Sequence, residues 1–488
     1  MKILKNTFAV ILVFSLVILV PSCAVNPVTG KRQLMFMTEE QEISMGAQYH
    51  PQVVATFGIY KNDALQKFIE EKGTEMGKIS HRPNLTYHFT ILDSPVVNAF
   101  AVPGGYIYFT RGILAQFNNE AELIGVLGHE MGHVTARHSV QQQTNQQIGQ
   151  AVLIGGMMVS EEVAKYADLA MTGMQLLFLS FSREHESESD RIGVEYATKV
   201  GYDAHQMAEF FKVLDKMSLD SQQGGVPTFL STHPDPADRY QKVEQLSNEW
   251  QAKYPDETFK VKTDDYLSMI DGIVYGEDPR QGFVENHTFY HPELRFKFDY
   301  PVNWTLSNQP TQVQIISPEK DAGIIFSMSS ESTPEAASQK SLTNLKLSQV
   351  SSEKVNVNGN SGLAVVSQQV NQTQDGQQQT TKVLSYYIKK GENVYEFHGI
   401  ADGSKFAGFQ PQFESTMRGF STLTDPSKLN VQPDRIKIIT INSASVSLED
   451  AFKYYKVPQN RFKEMALLND KDLNSQLHKG DLIKIVSK

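Results

Sequence analysis

As far as Trp250 the apolar positions of the chain recur mostly at helical spacing, and beyond it they mostly alternate. Residues 38–80 follow the helical period through Ile43, Ala47 and Val54, with Thr38 as a candidate N-cap and Gln41 three residues on. Tyr87 to Leu92 alternates and predicts a strand. Asn98 to Thr110 reads as strand, turn at Pro103-Gly104-Gly105, and a second strand ending in Tyr106-Ile107-Tyr108-Phe109. This hairpin either presents an edge to which an extended peptide adds as a further strand, or simply packs the next helix. That helix is marked by Leu123, Ile124, Val126, Leu127, Met131 and Val134, and a second one by the stripe Ile192, Tyr196 and Val200. Between them, residues 139–180 join a Gln-rich stretch to apolar ones broken by Gly155-Gly156, Glu161 and Glu162. Met157, Met158, Met171 and Met174 there read as core or as an adaptable groove, and the stretch suits a lid over a cleft.

Residues 251–285 are rich in charge, Asp and Gly and predict a linker with a short helix. Strand patterns follow at 294–301, 313–316, 323–328, 363–370, 383–388 and 394–400, with helical patterns near 338–349 and 406–418. The run Phe298-Asp299-Tyr300-Pro301-Val302-Asn303-Trp304 resembles those that open strands in small α/β domains of the PsbP type. No catalytic cluster is visible in it, so an interaction or scaffold role is expected. From residue 432 a third pattern appears: strand over Ile436–Ile441, helix over 447–455, turn at Val457-Pro458, helix over 460–469, and closing strand Gly480-Asp481-Leu482-Ile483-Lys484-Ile485. This βααβ order, with Leu467-Leu468-Asn469 and Leu477-His478-Lys479-Gly480-Asp481, resembles a LysM module, which implies binding to peptidoglycan or docking to a partner.

A length of 488 residues predicts several domains, and 40% apolar with 20% charged residues is the composition of an ordinary globular protein. A net charge of -10 without a basic cluster gives no attraction for nucleic acid, which disfavours nuclease chemistry. Lys2 and Lys5 precede the apolar run Phe8 to Val20, the layout of a secretory signal peptide and shorter than the roughly 20 residues of a bilayer span. The one cysteine, Cys23, follows Val20-Pro21-Ser22 and resembles a bacterial lipoprotein cleavage site, with residues 1–22 removed and Cys23 acylated. The alternative is an ordinary signal peptide with an incidental cysteine. Several acyl chains anchor stably. With Ala24 next, the expected location is the periplasmic face of an outer membrane.

The chemistry is concentrated in His129-Glu130-Met131-Gly132-His133. Residues four apart share a helix face, so His129 and His133 can point at one zinc ion while Glu130 reaches a water as general base. A catalytic zinc takes three protein ligands and keeps one position open. In Phe181 to Gly193, Glu186 and Asp190 are again four apart: Glu186 is the candidate third ligand, and Asp190 a partner that fixes the tautomer of a ligating histidine. Glu184, Glu188 and His185 compete for the ligand role, and a solvated charged face is the bland alternative. His233, before Pro234 and thus biased toward extended backbone, is a candidate fourth ligand or oxyanion stabiliser with Arg239 nearby, or else a surface-loop residue. As fourth ligand it would make the resting enzyme self-inhibited.

H-E-x-x-H on one helix and E-x-x-x-D on a later one resemble the gluzincin metallopeptidases related to the CAAX prenyl endopeptidase and the heat-shock membrane protease, in their periplasmic lipoprotein branch. The resemblance covers residues 26 to 250, including Asn26-Pro27-Val28-Thr29-Gly30 and Asn98-Ala99-Phe100-Ala101-Val102-Pro103-Gly104-Gly105. It implies one Zn2+ per chain held by His129, His133 and Glu186, with Glu130 as base. The expected architecture is α+β and multidomain: signal peptide 1–22, mainly helical zincin-type peptidase domain with a small sheet 23–250, linker 251–285, PsbP-like α/β domain 286–425 and LysM-like module 432–488. The expected function is hydrolysis of peptide bonds in misfolded or unassembled envelope proteins, as an outer-membrane quality-control protease. A chaperone-like assembly factor with little proteolysis, or a peptidoglycan-associated hydrolase, are the alternatives.

Overall fold

The computed structural model describes residues 23–144, 181–220, 228–233, 236–372 and 378–488. The expected signal peptide, the stretch 145–180 and the Gly224-Gly225 loop lie outside them. The described residues form two compact units: one of residues 58–276 with 23–54 and 435–487, the other chiefly of 277–434.

In the first unit, β1 (Cys23–Val25) and β2 (Arg32–Leu34) pair around a turn in which the Asn26 side chain accepts from the amides of Val28 and Thr29. The helical pattern 38–80 splits into α1 (Glu39–Phe57) and α2 (Asp63–Ile79). Thr38 caps α1 as the sequence predicts: its hydroxyl accepts from the Gln41 amide, and the Gln41 side chain accepts from the Thr38 amide. Gly58, at φ 70°, ends α1, and Asn62 caps α2. The small sheet has the order β3 (His88–Leu92), β5 (Tyr106–Thr110), β4 (Ala99–Val102), with β3 parallel and β4 antiparallel to β5. β4 is an edge strand, and all four of its residues are buried.

The short helix α3 (Arg111–Gln116) leads into α4 (Glu120–Thr135), capped by Asn119 and buried over all 16 of its residues. A helix apolar on one side only would expose its other face. Here α5 (Arg183–Lys199) and α6 (His205–Asp220) cover it. Glycines permit the approach: a methyl built on Gly128 would lie 2.9 Å from the carbonyl oxygen of Gly193, and one on Gly132 3.0 Å from the Cα of Ser189. The one-turn α7 (Thr228–Thr232), α8 (Pro236–Gln251) and α9 (Thr263–Ile270) complete this part. The expected linker is thus partly structural, since Tyr266, Leu267 and Ile270 of α9 lie in the core of the first unit.

The second unit is strand-rich. A seven-stranded antiparallel sheet has the order β12 (Ser348–Val357), β13 (Asn360–Gln372), β14 (Gln378–Lys390), β15 (Asn393–Asp402), β11 (Ala322–Ser329), β10 (Gln312–Ile316), β9 (Thr305–Asn308). A four-stranded sheet joins β16 (Ser421–Thr422), β8 (Phe296–Asp299), β7 (Thr288–His291) and β6 (Phe283–Glu285). Phe289, Phe296, Phe298, Phe326, Tyr395, Phe397 and Phe420 fill one core. On the other face α10 (Pro334–Asn344) packs Ala337 against Val365, Tyr387 and Val394. The helix expected over 338–349 therefore starts and ends earlier: Pro334 occupies its first turn after the Thr333 cap, and Ser348 already begins β12. β12 carried no strand signal because it is an edge strand, exposed along nearly its whole length and under no demand for alternation.

The chain then returns to the first unit. β17 (Arg435–Thr440) pairs antiparallel with β20 (Leu482–Ser487), enclosing α11 (Leu448–Tyr454) and α12 (Phe462–Leu468), the expected βααβ order. A second short ladder, β18 (Ser445–Ser447) with β19 (Gln476–His478), was not anticipated. The module shares its core with the peptidase helices. The fully buried Lys484 amine donates to the carbonyls of Ala115, Gln116 and Phe117 at 3.0, 3.0 and 3.1 Å, satisfying the end of α3.

In the second unit, burial pushes the His398 imidazole, 2.9 Å from the Ser385 hydroxyl, down to about 4. The unfolded chain, with an ordinary histidine near 6.5, takes up this proton first, so the stability of neutral His398 is present above about pH 6.5 and lost as pH falls toward 4. The loss is on the order of 2–3 kcal/mol. Thermal unfolding of the His398→Gln variant between pH 7 and 4.5 should show a shallower fall in midpoint than wild type; an equal slope would refute the assignment.

Candidate active site

Helix α4 delivers His129 and His133 to one face, and their Nε2 atoms lie 3.0 Å apart. Across the glycine contact, α5 delivers Glu186: its Oε1 is 3.4 Å from His133 Nε2 and its Oε2 3.6 Å from His129 Nε2. The end of α7 adds His233, whose amide closes a helical turn onto the Phe229 carbonyl at 2.7 Å. Its Nδ1 lies 3.0 Å from Glu186 Oε1 and 3.2 Å from His129 Nε2. One ligand atom from each of these four residues falls within 4.8 Å of all the others, and all four residues are buried.

The opposite side of His129 is equally defined. Asp190, one turn beyond Glu186, places Oδ1 2.9 Å from His129 Nδ1. A carboxylate there keeps the proton on Nδ1 and leaves the Nε2 lone pair facing the cluster. Arg239 of α8 grips Asp190 with Nε at 2.8 Å and Nη2 at 2.6 Å, and reaches Glu186 with Nη1 at 3.0 Å. Burial by itself would raise both carboxyls. For Glu186 the charges of His233 and Arg239 outweigh it and hold the acid well below its ordinary value; for Asp190 Arg239 and His129 lower it. Burial keeps His133 well below the ordinary imidazole value, so it is neutral and free to donate a lone pair.

Glu130 differs from its neighbours. Among the described residues both carboxylate oxygens are buried and without a hydrogen-bond partner, and His233 Nε2 stands 3.6 Å from Oε1. Burial raises its pKa, against the lowering effect of His233 and His129. Glu130, Glu186 and Asp190 face the Arg239 guanidinium and the His233 imidazole, so three carboxyl groups share two cationic partners away from water. Two imidazole nitrogens directed at each other, a carboxylate beside them and an orphaned acid one residue on form a donor set that a divalent zinc ion satisfies in both charge and coordination. The residues present fit the metal.

Of the competing ligands, Glu184 is exposed at the start of α5, while His185 and Glu188 turn toward His138 instead. His138 is the site residue that sequence reasoning passed over. It stands five residues after His133, a spacing that does not share a helix face.

Residues 63–247 match the model of peptidase family M48. The chain is 28% identical over 240 residues to the beta-barrel assembly-enhancing protease of Yersinia pestis, covering 47% of this chain and 49% of that one. To the protein of the same name from Escherichia coli K12 it is 27% identical over 218 residues, 43% and 44% of the two chains. The mitochondrial metalloendopeptidase OMA1 of Arabidopsis thaliana is 33% identical over 175 residues, 35% of this chain and 33% of that one. The chain thus spans about half the length of these three relatives, or less. Among solved structures, cyanobacterial PsbP from Synechocystis matches 28% of this chain and 91% of its own at 9% identity and a TM-score of 0.23, a value too low to assign a fold. Within the region that matches this family model, His129, His133, Glu186 and His233 form a cluster able to hold a metal ion.

Replacing Asp190 with Ala would leave Arg239 Nε and Nη2 without their carboxylate in a buried setting and free His129 Nδ1. The expected outcome is a loss of about 3 kcal/mol in the metal-free protein, read by denaturant unfolding. It should be accompanied by a 10- to 100-fold weaker zinc affinity in chelator competition.

Proposed function

We propose that this chain is a zinc endopeptidase of the bacterial envelope, lipid-anchored through Cys23 at the periplasmic face of an outer membrane, that cleaves misfolded or unassembled envelope proteins. The observation that carries the peptidase reading is the Glu130 carboxylate, buried and unpartnered beside three ligand side chains. The relatives named beta-barrel assembly-enhancing protease support the choice of substrate class and compartment.

Zinc held by His129, His133 and Glu186 would supply Lewis acidity, polarising a scissile carbonyl and lowering the pKa of a water to about 7. Glu130 accepts a proton from that water as its oxygen bonds to the carbonyl carbon. It then delivers the proton to the amine nitrogen as the carbon–nitrogen bond breaks, and is left as the carboxylate it began as. Arg239 holds Asp190 and Glu186, so it keeps His129 oriented and the third ligand charged.

His233 bears on a second reading. Its Nδ1 lies among the ligand atoms, so it would compete with water for the position that a catalytic zinc keeps open. A chain that keeps this histidine in place cuts rarely, and would act on envelope proteins chiefly by binding them. With His233 displaced, it is free to stabilise developing negative charge on the carbonyl oxygen.

Glu130→Gln should abolish cleavage of casein while retaining one zinc per chain and the wild-type unfolding midpoint; residual cleavage near the wild-type rate would sink the mechanism. The same variant, expressed in a deletion strain, separates the readings, because rescue of envelope defects without hydrolysis means that binding dominates. His233→Ala should change the casein rate several-fold, upward if the side chain blocks the site and downward if it stabilises the oxyanion. An unchanged rate would exclude both roles.

A further inference from the structure

His129 is backed by a carboxylate, Asp190, whereas among the described residues the outer nitrogen of the second ligand histidine, His133, meets an imidazole instead. What lies there is His138. Its Nδ1 is 3.0 Å from His133 Nδ1, and its Nε2 is 3.2 Å from Oε2 of Glu188. The Ser189 hydroxyl is 3.3 Å from the same His138 Nδ1.

The proton positions follow from the role of His133. Its Nε2 faces His129 and Glu186, so a metal at the cluster takes that lone pair and the proton must sit on Nδ1. Two ring nitrogens 3.0 Å apart share a hydrogen bond only if one donates and the other accepts, so His138 Nδ1 is the acceptor. His138 then carries its own proton on Nε2, where the Glu188 carboxylate accepts it. We propose, resting on the zinc reading above, that His138 and Glu188 are positioning residues for the metal site: they form a relay that holds His133 in the tautomer and ring orientation that ligation requires. Helix α5 thereby provides the third ligand, Glu186, the carboxylate behind His129, Asp190, and the carboxylate at the far end of the relay, Glu188.

The backbone is bent to make this contact. Residues five apart on a helix point away from each other, yet His138 faces His133 because Arg137 between them adopts φ 61°, the left-handed region that non-glycine residues avoid. Arg137 is kept there by its own side chain, which donates to Glu42 at 2.8 Å and to the Met37 carbonyl at 3.0 Å. A strained turn that re-aims one imidazole at another is the kind of cost retained at functional sites. The ring planes are fixed as well: His138 stacks on His185 at 4.2 Å and His133 on Phe181 at 4.1 Å. His138 is fully buried, so the contact is not exchanged for water.

The test measures zinc affinity rather than hydrolysis, by competition with a chromophoric chelator at pH 7.5. The proteins are the full chain as wild type, His138→Phe, His138→Gln and Glu188→Gln, each checked by circular dichroism. Removing the acceptor in His138→Phe should weaken zinc 10- to 100-fold. His138→Gln, whose side-chain oxygen accepts from His133, should recover most of that loss, and Glu188→Gln should lose less than His138→Phe. The visible spectrum of the cobalt-substituted protein should shift in His138→Phe and return in His138→Gln. Wild-type affinity in His138→Phe, or equal losses in His138→Phe and His138→Gln, would overturn the relay and leave the zinc site standing. If His138→Phe does not fold, Glu188→Ala, which removes the acceptor of the His138 Nε2 proton, decides by the same competition: an affinity equal to wild type overturns the relay. Failure of the wild-type chain to bind zinc would instead overturn the metal reading and the relay with it.

Discussion

The close approach of two helices at glycine is the constraint on which the rest of the site depends. Where Gly128 and Gly132 of α4 meet Gly193 and Ser189 of α5, a single methyl group would force the backbones apart. Ligand atoms from α4 and α5 stand 3.4 and 3.6 Å from one another, and a shift of that size would take Glu186 out of coordinating range. Helix packing normally leaves 8–10 Å between axes, and small residues set the lower end. Substitution by alanine at Gly128 or Gly132 would therefore be felt at the metal, although neither residue offers a ligand.

The second determinant is electrostatic. Carboxylates are rarely buried without partners, yet Glu130, Glu186 and Asp190 are all buried within one small volume. Arg239 compensates two of them through its fork of donors, and the cation of the site is needed for the remainder. Only Glu130 is left with free lone pairs. Burial outweighs the neighbouring cations at Glu130 and raises it, whereas at Glu186 His233 and Arg239 outweigh burial, so two acids on adjoining helices are set to different tasks.

The C-terminal module follows a different logic. Read from its pattern it is an appended βααβ unit, but its apolar residues belong to the core of the first unit and its Lys484 amine satisfies the last carbonyls of α3. Those carbonyls immediately precede the Asn119 cap of α4. A residue 369 positions away in sequence thus completes the junction that introduces the active-site helix. Burial pulls the lysine amine down and pushes the Glu122 carboxyl up, and the attraction between the two opposes both shifts in part.

Much of the site was legible in the residues alone because helix geometry is local. The spacing of four puts His129 with His133 and Glu186 with Asp190 on common faces whatever surrounds them. The capping box at Thr38, the strands of the small sheet and the βααβ order were read from the same short-range rules. Residues that act across elements were less so. Which of Glu184, His185, Glu186 and Glu188 meets the metal depends on how α5 is rotated against α4, and that is set by the glycine contact. His138 escaped notice because its contact requires a left-handed Arg137, held by Glu42 from a helix almost a hundred residues earlier. Edge strand β12 escaped because exposed strands need no apolar alternation. Periodicity and spacing determined what each helix can present; the side chains that share a pocket, and the charges that balance there, were decided only by packing between segments far apart in the chain.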